Sequence, residues 1–257
     1  MKNEIAIRGS SFVKIIAPHL LLLTMLSLSS NPLRADDVVL VKNAIARFSI
    51  HVSPQIMETN KTIEATASFP IQESEAQGQR LRESVNDLAL YLEKMSGAKI
   101  EILTRASQDG DKLLPILIGD MAVKVFGPPA KNSPYKQGWR MVVSPKGIGL
   151  MGESDEASSY AIYELLDRLG CRWYMPSDLG EVIPDLKTIS LPTLDISEAP
   201  ATISRSVTYA DEAFKRRNRQ GGLFLKANHA LEINNNYITA EQLKAHPDWI
   251  GKNDGKD

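Results

Sequence analysis

The hydropathy pattern of this 257-residue chain predicts an α/β fold, a small mixed β-sheet with helices packed on it. Three observations carry that expectation. Two apolar stripes recur at helical spacing: Leu81, Val85, Leu88, Leu92 and Met95, then Ala161, Leu165 and Leu169. Each stripe stops at a glycine, Gly97 or Gly170, and a short strand-like run follows at once. Between them, GWRMVVS and GIGLMG flank a four-residue turn, as a hairpin requires. Strands and helices interleaved in this way build a covered sheet, not a bundle or a repeat array.

Taken in order, VVLVKNAIARFSIHV (38–52) is β-branched and partly alternating, which suits strands. Residues 53–73 are polar and mixed, with TIEATASFPI (62–71) as one more strand candidate. The helix over 79–96 follows, then KIEILT as a strand and LPILIG as a continuous apolar run typical of a strand buried on both faces. Residues 121–126 form a short helix that Gly127-Pro128-Pro129 ends, and 130–137 form a polar loop. In the turn Ser144-Pro145-Lys146-Gly147, proline presets φ and glycine accepts a positive φ. The 155–169 helix opens on Ser154, Asp155 and Glu156, which suit the free N–H groups and positive end of a first turn. CRWYMP and EVIP are then two short strands around a Gly-Glu turn. The proline-bearing stretch ISLPTLDISEAPATI reads as a connector, SRSVTYA as a strand and 212–219 as a helix.

The first 35 residues have the form of an export leader: Lys2, Arg8 and Lys14, an apolar stretch too short to span a bilayer comfortably, and Leu33-Arg34-Ala35 at the cleavage point. That address is secreted or periplasmic. The chain carries a net charge of −1, and −4 once the leader is set aside, which argues against nucleic acid or an anionic membrane as partner. The basic run 215–219 reads as a solvated helix face. A single cysteine, Cys171, excludes an internal disulfide and reads as a buried structural thiol.

The run GESDEASSYAIYELLDRLGCRWYMPSDLGEVIP, Gly152 to Pro184, resembles the N-terminal (hexosaminidase-like) domain of alpha-glucuronidases and related secreted glycosidase-like proteins. Helix, Gly-Cys and Arg-Trp-Tyr-x-Pro strand match together. The resemblance implies a small accessory α/β domain over 36–192, followed in 193–257 by a connector and the first one or two units of an incomplete (β/α)8 barrel. It implies a parent protein that hydrolyses polysaccharide. The chemistry of such a barrel sits at the C-terminal ends of its strands, and the resemblance implies that the catalytic acids come from later strands, so this chain is expected to lack them, as a fragment or a degenerate copy. The alternative is a stand-alone exported carbohydrate-binding or interaction module.

The motifs exclude more than they assign. Gly147, Gly149 and Gly152 fit G-x-G-x-x-G, yet they fall in a hairpin strand and not in the turn of a βαβ unit, so no dinucleotide is implied. His51, His229 and His246 are scattered, with no metal-ligand spacing, so neither metal nor other cofactor is implied. No nucleophile elbow is present. With 31 acidic residues, a hydrolytic pair of carboxylates cannot be chosen by counting. Catalytic residues therefore stay unassigned. The carbohydrate-binding candidates are Trp173 and Tyr174, one of which must face inward in a strand, and the polar group Arg217, Asn218 and His229.

Overall fold

A computed structural model describes residues 37–58, 69–133, 135–207, 209–223 and 239–249. The leader 1–35, most of the strand candidate 62–71, and His229 lie outside the described residues. The elements are β1 (Val38–Lys42), β2 (Ile45–Ala46), β3 (Phe48–His51), α1 (Pro54–Met57), α2 (Phe69–Ser96), β4 (Ile102–Leu103), β5 (Leu114–Ile118), α3 (Asp120–Phe126), β6 (Trp139–Ser144), β7 (Gly147–Gly152) and α4 (Asp155–Arg168). There follow β8 (Arg172–Trp173), β9 (Glu181–Val182), β10 (Ile189–Leu191), β11 (Leu194–Glu198), β12 (Ser204–Arg205), α5 (Glu212–Arg217), β13 (Gly221–Gly222) and α6 (Ala240–Ala245).

The main sheet has six strands in the order β11-β6-β7-β5-β3-β4. Pairs β3/β4, β3/β5 and β5/β7 are parallel, while β6/β7 and β11/β6 are antiparallel, so the sheet is mixed. Alternation decides which residues meet which layer. Ile116, Ile118, Met141, Val143, Ile148 and Leu150 join the large core with α2 and α4, whose Leu88, Leu92, Leu165 and Leu166 are fully buried. Leu117, Val142 and Met151 point the other way and pack with Ala122 and Phe126 of α3. The continuous apolar run of β5 is explained by burial on both faces.

Local chemistry fixes the ends. The Ser154 hydroxyl accepts from the Ala157 N–H at 3.1 Å and caps α4. Gly170, at φ +97, lets the chain leave α4 directly into β8. The glycines of the G-x-G-x-x-G run lie in β7, paired with β6 from Ser144↔Gly147 to Trp139↔Gly152.

Several sequence expectations give way. Helix α2 begins at Phe69, ten residues before its predicted start, because Pro70 in a first turn breaks no helical hydrogen bond. KIEILT and CRWYMP shrink to two-residue strands. The stretch read as a connector contains β10, paired with β1, and β11, which forms an edge of the main sheet against β6. Its prolines flank these strands without interrupting them, as edge positions permit. Among the described residues no helix is long and apolar enough to cross a membrane.

Candidate functional site

The sequence-predicted candidates gather where the β12–α5–β13 arm meets α2, α4 and the β8–β9 hairpin. Trp173 and Tyr174 separate as strand neighbours must. Tyr174 is 70% exposed, while Trp173 is 7% exposed and stands edge-on to Tyr91 and Tyr163, with ring centroids 5.0 and 5.8 Å away. The Trp173 Nε1–H donates to the Tyr91 hydroxyl at 3.0 Å, and Tyr91 in turn donates to Glu181. Glu181, expected as a turn residue, is instead the inward carboxylate of β9. It also accepts from Lys94 at 3.0 Å and from Arg217 Nη1 at 3.2 Å.

The run 215–219 is not a solvated face. Arg216 is 7% exposed, and its guanidinium donates to the Tyr163 hydroxyl at 2.9 Å, to Asp87 at 3.2 Å and to Glu83. Arg217 Nε reaches the same Asp87 oxygen at 3.2 Å, and Tyr163 donates to it at 2.8 Å. Asn218 donates to the Trp173 carbonyl at 3.2 Å, and Arg219 pairs with Glu164. The physical reason is context: α5 is one short helix laid against α2, whose Glu83 and Asp87 project toward it. A charge run alone does not reveal such acids on another element.

A second set of contacts holds the β12–β13 hairpin. Tyr160 lies between the Arg80 and Arg205 guanidiniums, 5.6 and 5.1 Å from its ring centroid. Arg80 donates to Ser159 Oγ at 3.2 Å and to the Gln220 carbonyl, and faces Glu156 at 3.6 Å. Arg205 donates to Gln137 Oε1 at 2.7 Å and to the Arg219 carbonyl at 3.1 Å. Gly221, at φ +152, passes so close to Glu156 and the Tyr160 hydroxyl that any side chain there would collide with both. The Gly222 N–H donates to Glu156 at 3.3 Å.

Chemically this is a dense circuit of ion pairs and hydrogen bonds in which the buried Tyr160 hydroxyl and Arg205 Nη2 have no hydrogen-bond partner among the described residues. Burial, with the nearby carboxylates, pushes the Tyr91, Tyr160 and Tyr163 hydroxyls up, so they stay protonated. Burial works to raise the Glu181 carboxyl, but hydrogen bonds from Tyr91 and Lys94 and the charges of Lys94 and Arg217 outweigh it and hold it below the ordinary value. Cys171 is fully buried, 3.8 Å from the Met95 sulfur, and its thiol is pushed up to about 12, mainly by burial. That is a structural thiol and not a nucleophile. Among the described residues, no group of three His, Cys, Asp or Glu side chains converges as a metal site would.

Among the described residues, several clefts border the arm. The largest, about 640 Å³, lies between the first half of α2, the start of α4 and the Glu212 and Arg216 side of α5. A second, about 400 Å³, shares Glu73, Gln77, Glu156, Gly222 and Leu223 with it and extends toward Tyr135. Trp173 and Arg217 line a smaller cleft of about 260 Å³ beside Phe214, and Asn218 borders another of about 310 Å³. The structure thus brings Trp173, Arg217 and Asn218 together and leaves Tyr174 outside them.

No protein-family model matches this sequence, and no curated protein matches it. Among solved structures, the chain is similar to a family GH115 4-O-methyl-alpha-glucuronidase with specificity for decorated arabinogalactans, at 17% identity and a TM-score of 0.43. The alignment covers 63% of this chain and 18% of that enzyme, so this chain spans well under a quarter of its length.

Proposed function

We propose that this chain is the accessory α/β domain of a secreted glycoside hydrolase-like protein acting on polysaccharide, and that it does not itself carry a hydrolytic pair of carboxylates. The reading starts from the resemblance of residues 152–184 to the N-terminal domain of alpha-glucuronidases. One observation carries it further. Of the four carboxylates in the largest cleft three are already held by a cation, Glu83 by Arg216, Glu156 by Arg80 and Glu212 by Lys215, and the fourth, Glu73, stands beside the Gln77 amide at 3.5 Å. A hydrolytic pair needs two carboxylates that face each other across the scissile bond and are free to touch it, whereas these three are turned to cations of the protein. The domain's own work is then to hold the segment 203–223, which in this reading opens the catalytic barrel.

The test is direct. The purified chain should release no product from aryl-glycosides, glucuronoxylan or arabinogalactan. Robust turnover that a single Asp or Glu change abolishes would overturn the proposal. The second reading, a stand-alone exported carbohydrate-binding module, draws support from the bare Tyr174 ring beside the Trp173 cleft.

A further inference from the structure

We infer that the trough formed by the two largest clefts is a binding site for a neutral oligosaccharide. This rests on the reading of the protein as one that acts on polysaccharide, and places contact with the glycan away from Trp173 and Tyr174. The two clefts share five lining residues, so they form one depression that crosses the β13 strand. Their volumes, about 640 and 400 Å³, fall in the range of small-molecule sites.

The lining chemistry selects the ligand class. Arg80 and Arg216 are both spent on carboxylates and carbonyl or hydroxyl oxygens of the protein. Around Arg80 and Arg216 a ligand carboxylate or phosphate would have to displace Glu83 or Glu156, and an ammonium would have to displace an arginine; Glu73 and Lys136, which also line the trough, are of opposite sign and favour neither kind of ion. A hydroxyl need displace nothing. Each ionised carboxylate has about four acceptor positions, more than Glu83 and Glu156 use here. Gln77 adds an amide whose only hydrogen-bond partner among the described residues is Glu73, at 3.5 Å, too long to hold it. At the far end Tyr135 is 44% exposed, giving a ring face against which the C–H side of a pyranose can lie. Hydroxyl-accepting carboxylates, a free amide and one ring face suit a neutral polyhydroxylated chain.

Calorimetry or saturation-transfer NMR on the whole chain would use neutral xylo- and cello-oligosaccharides of four residues, and a glucuronic-acid-substituted xylo-oligosaccharide of the same length. Neutral probes should bind in the millimolar range, and the acidic one no more tightly. Gln77→Ala and Tyr135→Ala should each weaken binding about tenfold, the equivalent of one lost hydrogen bond or stacking contact. Both residues lie on the surface, so unchanged thermal melts will show that the variants fold. Tyr174→Ala should change nothing. Loss of binding in Tyr174→Ala alone would overturn the trough while leaving a carbohydrate-binding protein. Tighter binding of the acidic probe, or no binding of any probe, would overturn it as well. The hydrolysis assay tests the accessory-domain reading independently of these outcomes.

Discussion

Helices α2 and α4 meet the main sheet through Leu88, Leu92, Leu165 and Leu166, all fully buried, whereas the arm from residue 203 to 223 reaches the same helices through Arg205 on the Tyr160 ring and through Arg216, Arg217 and Arg219. Of the arm's large apolar residues, Ile203, Val207 and Tyr209 are 44%, 48% and 96% exposed, and Phe214 is half-buried. One region is held by the hydrophobic effect, which is non-directional and grows with area. The other is held by directional, charge-assisted hydrogen bonds to a few atoms, Asp87 above all. The core should therefore tolerate changes that conserve volume, while the arm should depend on single atoms.

The largest expected effect tests the core side of this contrast. Leu88→Ala and Leu165→Ala each remove a fully buried side chain from a packed interface, and each should cost about 2–5 kcal/mol. Urea unfolding followed by far-UV circular dichroism would read it as a single shifted transition. A cost below about 1 kcal/mol at either position would mean that the core is looser than its burial implies.

Next comes the arm. Arg216→Ala leaves Asp87 with only Arg217 and Tyr163 and takes the guanidinium from Glu83, a loss on the order of 1.5–3 kcal/mol for a hydrogen bond to a charged group. The arm can lift away and let water reach Asp87, so the damage should stay local. Hydrogen exchange should quicken at amides in 204–222 and proteolysis should begin there, with the midpoint of core unfolding little changed. If core and arm come apart together in one transition, the two-region division is wrong.

Acid should separate the regions more gently. Glu181, which accepts from Arg217 of the arm, is held below the ordinary carboxylate range, its burial outweighed by hydrogen bonds from Tyr91 and Lys94, whereas Asp195, held down first by the hydrogen bond from Arg140, ties β11 to β6 within the main sheet. A carboxyl with a depressed folded-state pKa contributes stability that is complete above its unfolded value, about 4, and is lost as pH falls through the lower folded one. Arm protection should therefore hold from neutrality down to about pH 4 and fade below it. Loss of arm protection on going from pH 7 to pH 5.5 would point to a titrating group other than Glu181.

The same contrast explains what the sequence disclosed. Core elements were legible because apolar periodicity is a local record of burial: the stripes from Leu81 to Met95 and from Ala161 to Leu169 coincide with α2 and α4, and the 144–147 turn joins β6 to β7. The site was far less so. Trp173 and Tyr174 obeyed the rule that strand neighbours face opposite ways, so their inequality was readable. The role of Arg216 was not, because Asp87 lies 129 residues away and looks like the polar side of an amphipathic helix. Strands β10 and β11 were missed for a related reason: proline signals a connector unless the pairing partner, here β1 or β6, is known. Glu83 and Glu156 in the trough carried no signal in sequence beyond being exposed-type residues on helices.

The smallest expected effect falls on the residue that looks most inviting. Tyr174 donates its backbone N–H to the Gly180 carbonyl at 2.9 Å, a bond that any residue but proline can make, and its ring is 70% exposed. Tyr174→Ala should therefore move stability by no more than about 0.5 kcal/mol, as surface substitutions do. It should also leave the near-UV signal of the Trp173 cluster intact, because Tyr91 and Tyr163, not Tyr174, are the rings edge-on to the indole. A measured loss above about 1 kcal/mol would show that the Tyr174 ring rests on something that stabilises the fold. The hairpin would then belong with the core, and the boundary between the two regions would have to be redrawn around it.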